Sequence, residues 1–251
     1  MNQIDELINI SIEAGKAILG YYDEEIKVTR KEDDSPLTKA DLASHNVIVN
    51  SLKELTPDTP IISEESGIPA YEERTKWRSY WLVDPLDGTK EFIKKNGEFT
   101  VNIALMEEGE PVIGVVHIPA KKITYIGQKS IGSHKIDQEG NKTRILSSRP
   151  DKDQPVTIVS SRSHGASDTE DRLEEMGFKV GESVAAGSSL KFCLVAEGVA
   201  DIYPRFGPTM EWDTAAGDAV FRYSGKDEAR YSPITYNKES MKNGEFVIGH
   251  E

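Results

Sequence analysis

One stretch constrains this chain more than any other: Trp81-Leu82-Val83-Asp84-Pro85-Leu86-Asp87-Gly88-Thr89. Residues 80–83 are aromatic and apolar, and so short an apolar run ending at a turn signal predicts a buried strand. Pro85 has a fixed φ and no N–H, so it predicts a stiff turn that stops the sheet ladder. Gly88 permits backbone geometry closed to other residues. Thr89 then opens a helical turn, Lys90-Glu91-Phe92-Ile93. A helix start offers free N–H groups and partial positive charge, which suits a phosphate. The turn therefore sets two carboxylates, Asp84 and Asp87, around a constrained carbonyl and beside an anion seat. That grouping points to metal-assisted phosphoryl chemistry. Asp, Pro and Gly are also ordinary turn residues, so the motif needs support from elsewhere in the chain.

The remaining 242 residues of the 251 narrow the class. A chain of this length makes one large domain or two closely packed subdomains. Apolar residues are 37% and charged residues 29%, arranged in regular apolar runs, so a soluble globular protein is expected. No run is long enough for a transmembrane helix. The first residues, Met1-Asn2-Gln3-Ile4-Asp5-Glu6, lack the basic and apolar regions of a secretory signal. Cys193 is the single cysteine, which forbids an internal disulfide and suits the cytoplasm. Loose association with the inner face of the cell membrane is left open. The net charge of −13 argues against nucleic-acid polymers as partners. An acidic protein that binds a phosphate needs its field reversed locally, and divalent cations do that.

Apolar spacing predicts an amphipathic helix over 3–22 and a short strand over 26–31. Thr38 can cap a helix running to about residue 55, with Asp41 placed either as a capping-box partner or for catalysis. His45 shows no partner in the sequence. A short buried strand over 60–63 leads into Glu64-Glu65; adjacent carboxylates at a strand end are usually solvated, and the alternative, one of them as a metal ligand, requires that strand to lie beside the Asp84 strand. Strands over 99–106 and 112–118 flank Glu107-Glu108-Gly109-Glu110 as a hairpin, and further strands are expected over 123–127 and 142–146. A polar linker over 147–155 marks a boundary, so the expected subdomains are 1–150 and 151–251. Beyond it the sequence predicts strands at 156–160 and 200–203, and helices at 168–176, 189–197 and 212–223. Cys193 in its apolar helix reads as a buried, inert thiol. This alternation indicates an α/β second half.

Three ordered motifs, Ser63-Glu64-Glu65, Asp84-Pro85-Leu86-Asp87-Gly88-Thr89 and Trp212-Asp213-Thr214-Ala215-Ala216-Gly217, together resemble the inositol monophosphatase-like superfamily. Gly88-Thr89-Lys90-Glu91-Phe92, Gly187-Ser188-Ser189-Leu190-Lys191-Phe192-Cys193 and Tyr203-Pro204-Arg205-Phe206-Gly207-Pro208-Thr209 resemble its bacterial 3′(2′),5′-bisphosphate nucleotidases of sulfate assimilation. Inositol monophosphatases typically carry Thr-Asn-Phe or a similar run after the Asp-Gly, so Lys90-Glu91 following Thr89 distinguishes this chain.

The resemblance implies an alternating α-β-α-β-α sandwich with the site between two subdomains. It implies a magnesium-dependent, lithium-inhibited phosphatase with two or three magnesium ions. Glu64, Asp84 and the Leu86 carbonyl would hold one ion; Asp84, Asp87 and Asp213 would hold the second. Thr89, oriented by Asp41, would polarise the attacking water, and the N–H groups of Gly88 and Thr89 would hold phosphate oxygens. Lys191 and Arg205 are candidates for a second phosphate, and Ser163, His164, Gly187 and Ser188 for the nucleotide. The implied reaction is hydrolysis of the 3′-phosphate of adenosine 3′,5′-bisphosphate to AMP, and of the same phosphate in 3′-phosphoadenylyl sulfate. An inositol phosphate phosphatase on the same scaffold is the alternative. The carboxylate pair also admits a glycosidase, which the anion seat and the lack of a nearby aromatic platform disfavour. Oligomeric state is left open.

Overall fold

The computed structural model describes residues 3–22, 36–151, 153–161, 166–226 and 228–249. The strand expected over 26–31 lies outside them, and so do Ser163 and His164.

Helix α1 (Gln3–Tyr22) buries Ile4, Leu7, Ile10, Ala14 and Ile18, a stripe at helical spacing. Helix α2 (Pro36–Leu55) packs beside it. Its described residues already include Pro36 and Leu37, ahead of the expected cap. Thr38 therefore lies inside the helix, and Asp41 in the helix body rather than in a capping box.

Strand β1 (Ile61–Ser63) runs parallel to β2 (Ser79–Asp87), with the short helix α3 (Tyr71–Arg74) between them in sequence. Helix α4 (Thr89–Ile93) follows β2. Strands β3 (Thr100–Glu107) and β4 (Glu110–Ile118) form the expected hairpin. Then β5 (Ile123–Gln128), β6 (Gly132–Ile136) and β7 (Lys142–Arg144) complete a seven-stranded sheet in sequence order, antiparallel after β2. Strand β6 escapes sequence reading because Gly-Ser-His-Lys-Ile is polar, with only Ser133 fully buried.

The second half contributes β8 (Val156–Ser160), α5 (Ala166–Glu175), β9 (Val180–Ala185) and α6 (Leu190–Ala196). After these come β10 (Tyr203–Arg205), β11 (Thr209–Met210), α7 (Glu211–Arg222), β12 (Lys242–Asn243) and β13 (Phe246–Ile248). Strand β9, mostly exposed, is a further element the sequence pattern did not reveal. Strand β10 begins at Tyr203, not at residue 200; only Ile202 bridges back to Ile158.

The odd face of the large sheet (Trp81, Val83, Val101, Ile103, Val115) packs on α1 and α2. The even face (Tyr80, Leu82, Ala104, Met106, Val116) packs on α6 and α7. Beyond these two helices lies the β8–β9 pair, whose Val156 and Ile158 meet Leu173 of α5. The order is helices, sheet, helices, small sheet, helix, a mixed α/β sandwich. Helix α7 comes so near the large sheet that a side chain on Gly127 would meet the Ala219 carbonyl and the Val220 backbone. Glycine there sets how deep the Asp213 helix sits.

Pro85 does not end its strand. β2 continues to Asp87, and Asp84 pairs with Asn102 while Asp87 pairs with Thr100. Pro85 and Leu86 thus stand opposite the single residue Val101, a β-bulge. The proline sits where the ladder is already interrupted and its missing N–H has no partner to lose. Strand side chains alternate faces, so residues three apart normally point opposite ways. The extra residue in the bulge reverses that parity. Asn102 and Thr100 share a face of β3, so Asp84 and Asp87 share a face of β2. Leu86 is turned the other way, into the α1–α2 core.

Candidate active site

The shared face of Asp84 and Asp87 looks toward the start of α7. Glu64 arrives from β1: its N–H donates to the Val83 carbonyl (3.1 Å), which continues the parallel pairing and sets Glu64 next to Asp84. Asp213 arrives from the first turn of α7, where one carboxylate oxygen caps the helix by accepting the Met210 N–H (2.8 Å). Glu64, Asp84 and Asp213 each offer an oxygen within 4.8 Å of the others. Three carboxylate oxygens form a hard donor set, suited to an oxygen-loving cation such as magnesium, manganese or calcium.

The electrostatics of the group call for such a cation. Asp84 is almost fully buried. Burial raises its pKa well above the usual range, and the charges of Asp87, Glu64, Asp213 and Asp41 raise it further. Asp213 is raised to about 7, by burial first and then by Asp87, against the opposing Met210 hydrogen bond. Burial also raises Asp87, opposed by Lys191 and by hydrogen bonds from Ser189. Carboxylates held this closely bind protons or a cation, and a metal would displace the protons.

Asp87 stands beside the three. Its Oδ2 accepts the Ser189 N–H at 2.7 Å and the Ser189 hydroxyl at 3.2 Å. The Leu86 N–H donates to Asp84 Oδ1 at 3.1 Å. Asp41, on α2, is near enough for its charge to act on Asp84. Thr89 is exposed at the first position of α4. Gly88 precedes it with φ 93°, and a side chain there would run into the Ser188 hydroxyl and the Phe99 backbone. Ser188, with φ 48°, donates its hydroxyl to the Asp87 carbonyl at 2.9 Å.

Asp87, Gly88, Gly187, Ser188, Lys191, Arg205 and Asp213 line one cleft with about 660 Å³ of empty volume. Lys90, Glu91, Ser161 and Tyr203 line it too. Both candidate cations for a second phosphate thus open on the same space as Asp87 and Asp213. The Lys191 ammonium donates to the Ser188 carbonyl at 2.7 Å and lies 5.4 Å from the centre of the Tyr203 ring. Burial lowers Lys191 to about 8, in spite of Asp87, and Arg205 adds to the lowering. Arg205 donates to the Pro208 carbonyl at 3.3 Å.

Several supporting residues carried no sequence signal. His45 does have a partner: its Nδ1 is 2.8 Å from the Ser63 hydroxyl, directly before Glu64. Ser44 donates to the Pro85 carbonyl at 2.8 Å, pinning α2 to the bulge. Buried Glu98 accepts the Gly187 N–H at 3.0 Å. Cys193 is buried, and its thiol is pushed well above the usual range by that burial, away from the reactive thiolate.

The fold and the acidic cleft are those of a metal-dependent phosphatase scaffold, and residues 2–237 match the inositol monophosphatase family. The chain belongs to that family. It is 49% identical over 221 residues to the 3′(2′),5′-bisphosphate nucleotidase CysQ of Salmonella typhimurium LT2, covering 86% of each chain. The Escherichia coli K12 protein of the same name is 44% identical over 98% of both chains. A crystal structure of CysQ from Bacteroides thetaiotaomicron, 40% identical, superposes with a TM-score of 0.81 over 98% of this chain and 96% of that one.

Proposed function

We propose that this protein is a magnesium-dependent 3′(2′),5′-bisphosphate nucleotidase that converts adenosine 3′,5′-bisphosphate to AMP and phosphate. The extended likeness to nucleotidases of that name supports the substrate class. The observation that carries the chemistry is the meeting of Glu64, Asp84 and Asp213 beside a cleft holding Lys191 and Arg205. Inositol phosphatases share the scaffold, and the paired cations favour a substrate with a second phosphate. The 3′-phosphate of 3′-phosphoadenylyl sulfate fits the same reading, which places the enzyme in sulfate assimilation and nucleotide recycling.

Two magnesium ions, with a third compatible, would activate water and neutralise the leaving oxygen. In this reading Glu64, Asp84 and the Leu86 carbonyl would hold one, and Asp84, Asp87 and Asp213 would hold the other. The Thr89 hydroxyl, oriented by Asp41, positions the water. Water oxygen bonds to phosphorus as the bond to the ribose 3′-oxygen breaks, and that oxygen takes a proton. The backbone N–H groups of Gly88 and Thr89 hold the reacting phosphate. Lys191 and Arg205 bind the second phosphate, with Gly187, Ser188, Ser163 and His164 about the nucleoside. The division into subdomains 1–150 and 151–251 puts Asp213 and the cations on the second.

Phosphate release from adenosine 3′,5′-bisphosphate, with AMP as co-product, tests the reading. Activity should vanish in excess chelator and return with magnesium. Full turnover in chelator would sink it.

A further inference from the structure

The Ser189 side chain touches β2, which carries Asp84 and Asp87, and α7, which carries Asp213. Its hydroxyl donates to the Asp213 backbone carbonyl at 2.7 Å and lies 3.2 Å from Asp87 Oδ2. It accepts from Asn102 Nδ2 at 2.9 Å. Asn102 is fully buried on β3 and is the cross-strand partner of Asp84. One hydroxyl thus joins the bulged end of β2, the first turn of α7 and the strand backing Asp84. Ser189 is itself only 2% exposed, so water cannot replace these bonds without rearrangement.

The geometry points to Ser189, supported by Asn102, as a positioning residue for the metal centre. This inference rests on the proposed metal reading. A carboxylate with one oxygen tied twice to Ser189 is fixed in rotation, and its other oxygen is committed to one direction. The bond to the Asp213 carbonyl fixes the distance from β2 to the start of α7. Both matter because Asp84, Asp87 and Asp213 repel one another and would spread unless held. The single hydroxyl proton is shared in a three-centre bond, mainly with the nearer Asp213 carbonyl and also with Asp87 Oδ2. Asn102 must then present its NH₂ to Ser189. The Ser189 N–H still reaches Asp87 when the hydroxyl is removed, so the hydroxyl's own part can be isolated.

Ser189→Ala should weaken magnesium or manganese binding about 10- to 100-fold, the usual cost of losing a group that orients metal ligands. Manganese binding is measured directly by electron paramagnetic resonance and magnesium by calorimetry, with the melting temperature of the metal-free protein recorded alongside. Turnover should recover at saturating metal, so the half-saturating metal concentration moves more than kcat. Ser189→Thr keeps the hydroxyl and should restore binding to near the parent value. On an Asp87→Asn background, Ser189→Ala should cost much less. If Ser189→Ala does not fold, Asn102→Leu, which removes the donor to Ser189, should shift the metal affinity in the same direction. Parent-like affinity in whichever of these variants folds, or equal losses for Ser189→Ala with and without Asp87, would overturn the inference. Asp84→Asn separates the two levels. If it binds metal as the parent does, the metal centre itself is misplaced; if it loses metal while Ser189→Ala does not, only the positioning role fails.

Discussion

Asp84 and Asp87 are three residues apart in one strand yet stand on the same face of the sheet, because Pro85 and Leu86 share the single partner Val101. The bulge is what converts a turn-like sequence into a pair of acids on one face of the sheet. Removing Asp84 should therefore be the most damaging single change. Asp84→Asn is expected to lower kcat/KM by more than about 100-fold, beyond the usual cost of a supporting group. Asp87→Asn should act mainly through metal affinity and be partly rescued by excess magnesium. Kinetics across a metal titration checks both.

The metal-free protein should lose stability as pH rises. Asp213 titrates near 7 in the folded protein against an ordinary 3.8. A raised carboxylate pKa means that the folded state holds a proton the unfolded state has released. Its contribution is fully present below pH 3.8 and declines until the pH passes about 7. Asp84 shifts in the same direction. Melting temperatures in chelator should fall across that interval, and magnesium should raise them more at pH 7 than at pH 5. A flat profile in chelator would contradict this electrostatic account.

Lys191 gives a second pH signature, on substrate rather than stability. Burial lowers it to about 8, so its ammonium is present below that pH and lost above it. Substrate phosphates have finished ionising by then, with a second pKa of about 6. The KM for a bisphosphate nucleotide should rise between pH 7 and 9 while kcat changes less. Lys191→Met should raise KM at pH 7 and abolish that rise.

The two long N-terminal helices, the β3–β4 hairpin and α7 were legible from apolar spacing, since each buries a regular stripe or alternating face. So was the association of Glu64 with Asp84, which needed only that β1 and β2 be neighbours. The bulge was not legible. Pro85 reads as a turn because the ladder it interrupts depends on β3, which is distant in sequence. Ser189 was hidden for the same reason: a serine before a helix is an ordinary residue until Asp87, Asn102 and Asp213 are folded around it. His45 looked idle because its partner, Ser63, comes from another element.

Thr89 and Asp41 should behave as a unit. Thr89→Ala leaves every proposed metal ligand in place and removes the hydroxyl assigned to the water. Assistance of this kind contributes roughly 10²- to 10⁴-fold. Turnover should fall by that order while magnesium binding stays near the parent value. Asp41→Asn should resemble it, and the double variant should cost far less than the product of the singles. Independent, multiplicative losses would refute the pairing.

The most direct test of the account is one side-by-side assay of phosphate release from adenosine 3′,5′-bisphosphate, AMP and inositol 1-phosphate, with magnesium and with chelator. The account predicts strong release from the bisphosphate, much less from the two monophosphates, and none in chelator. Preference for inositol 1-phosphate, or equal rates on AMP and the bisphosphate, would contradict it.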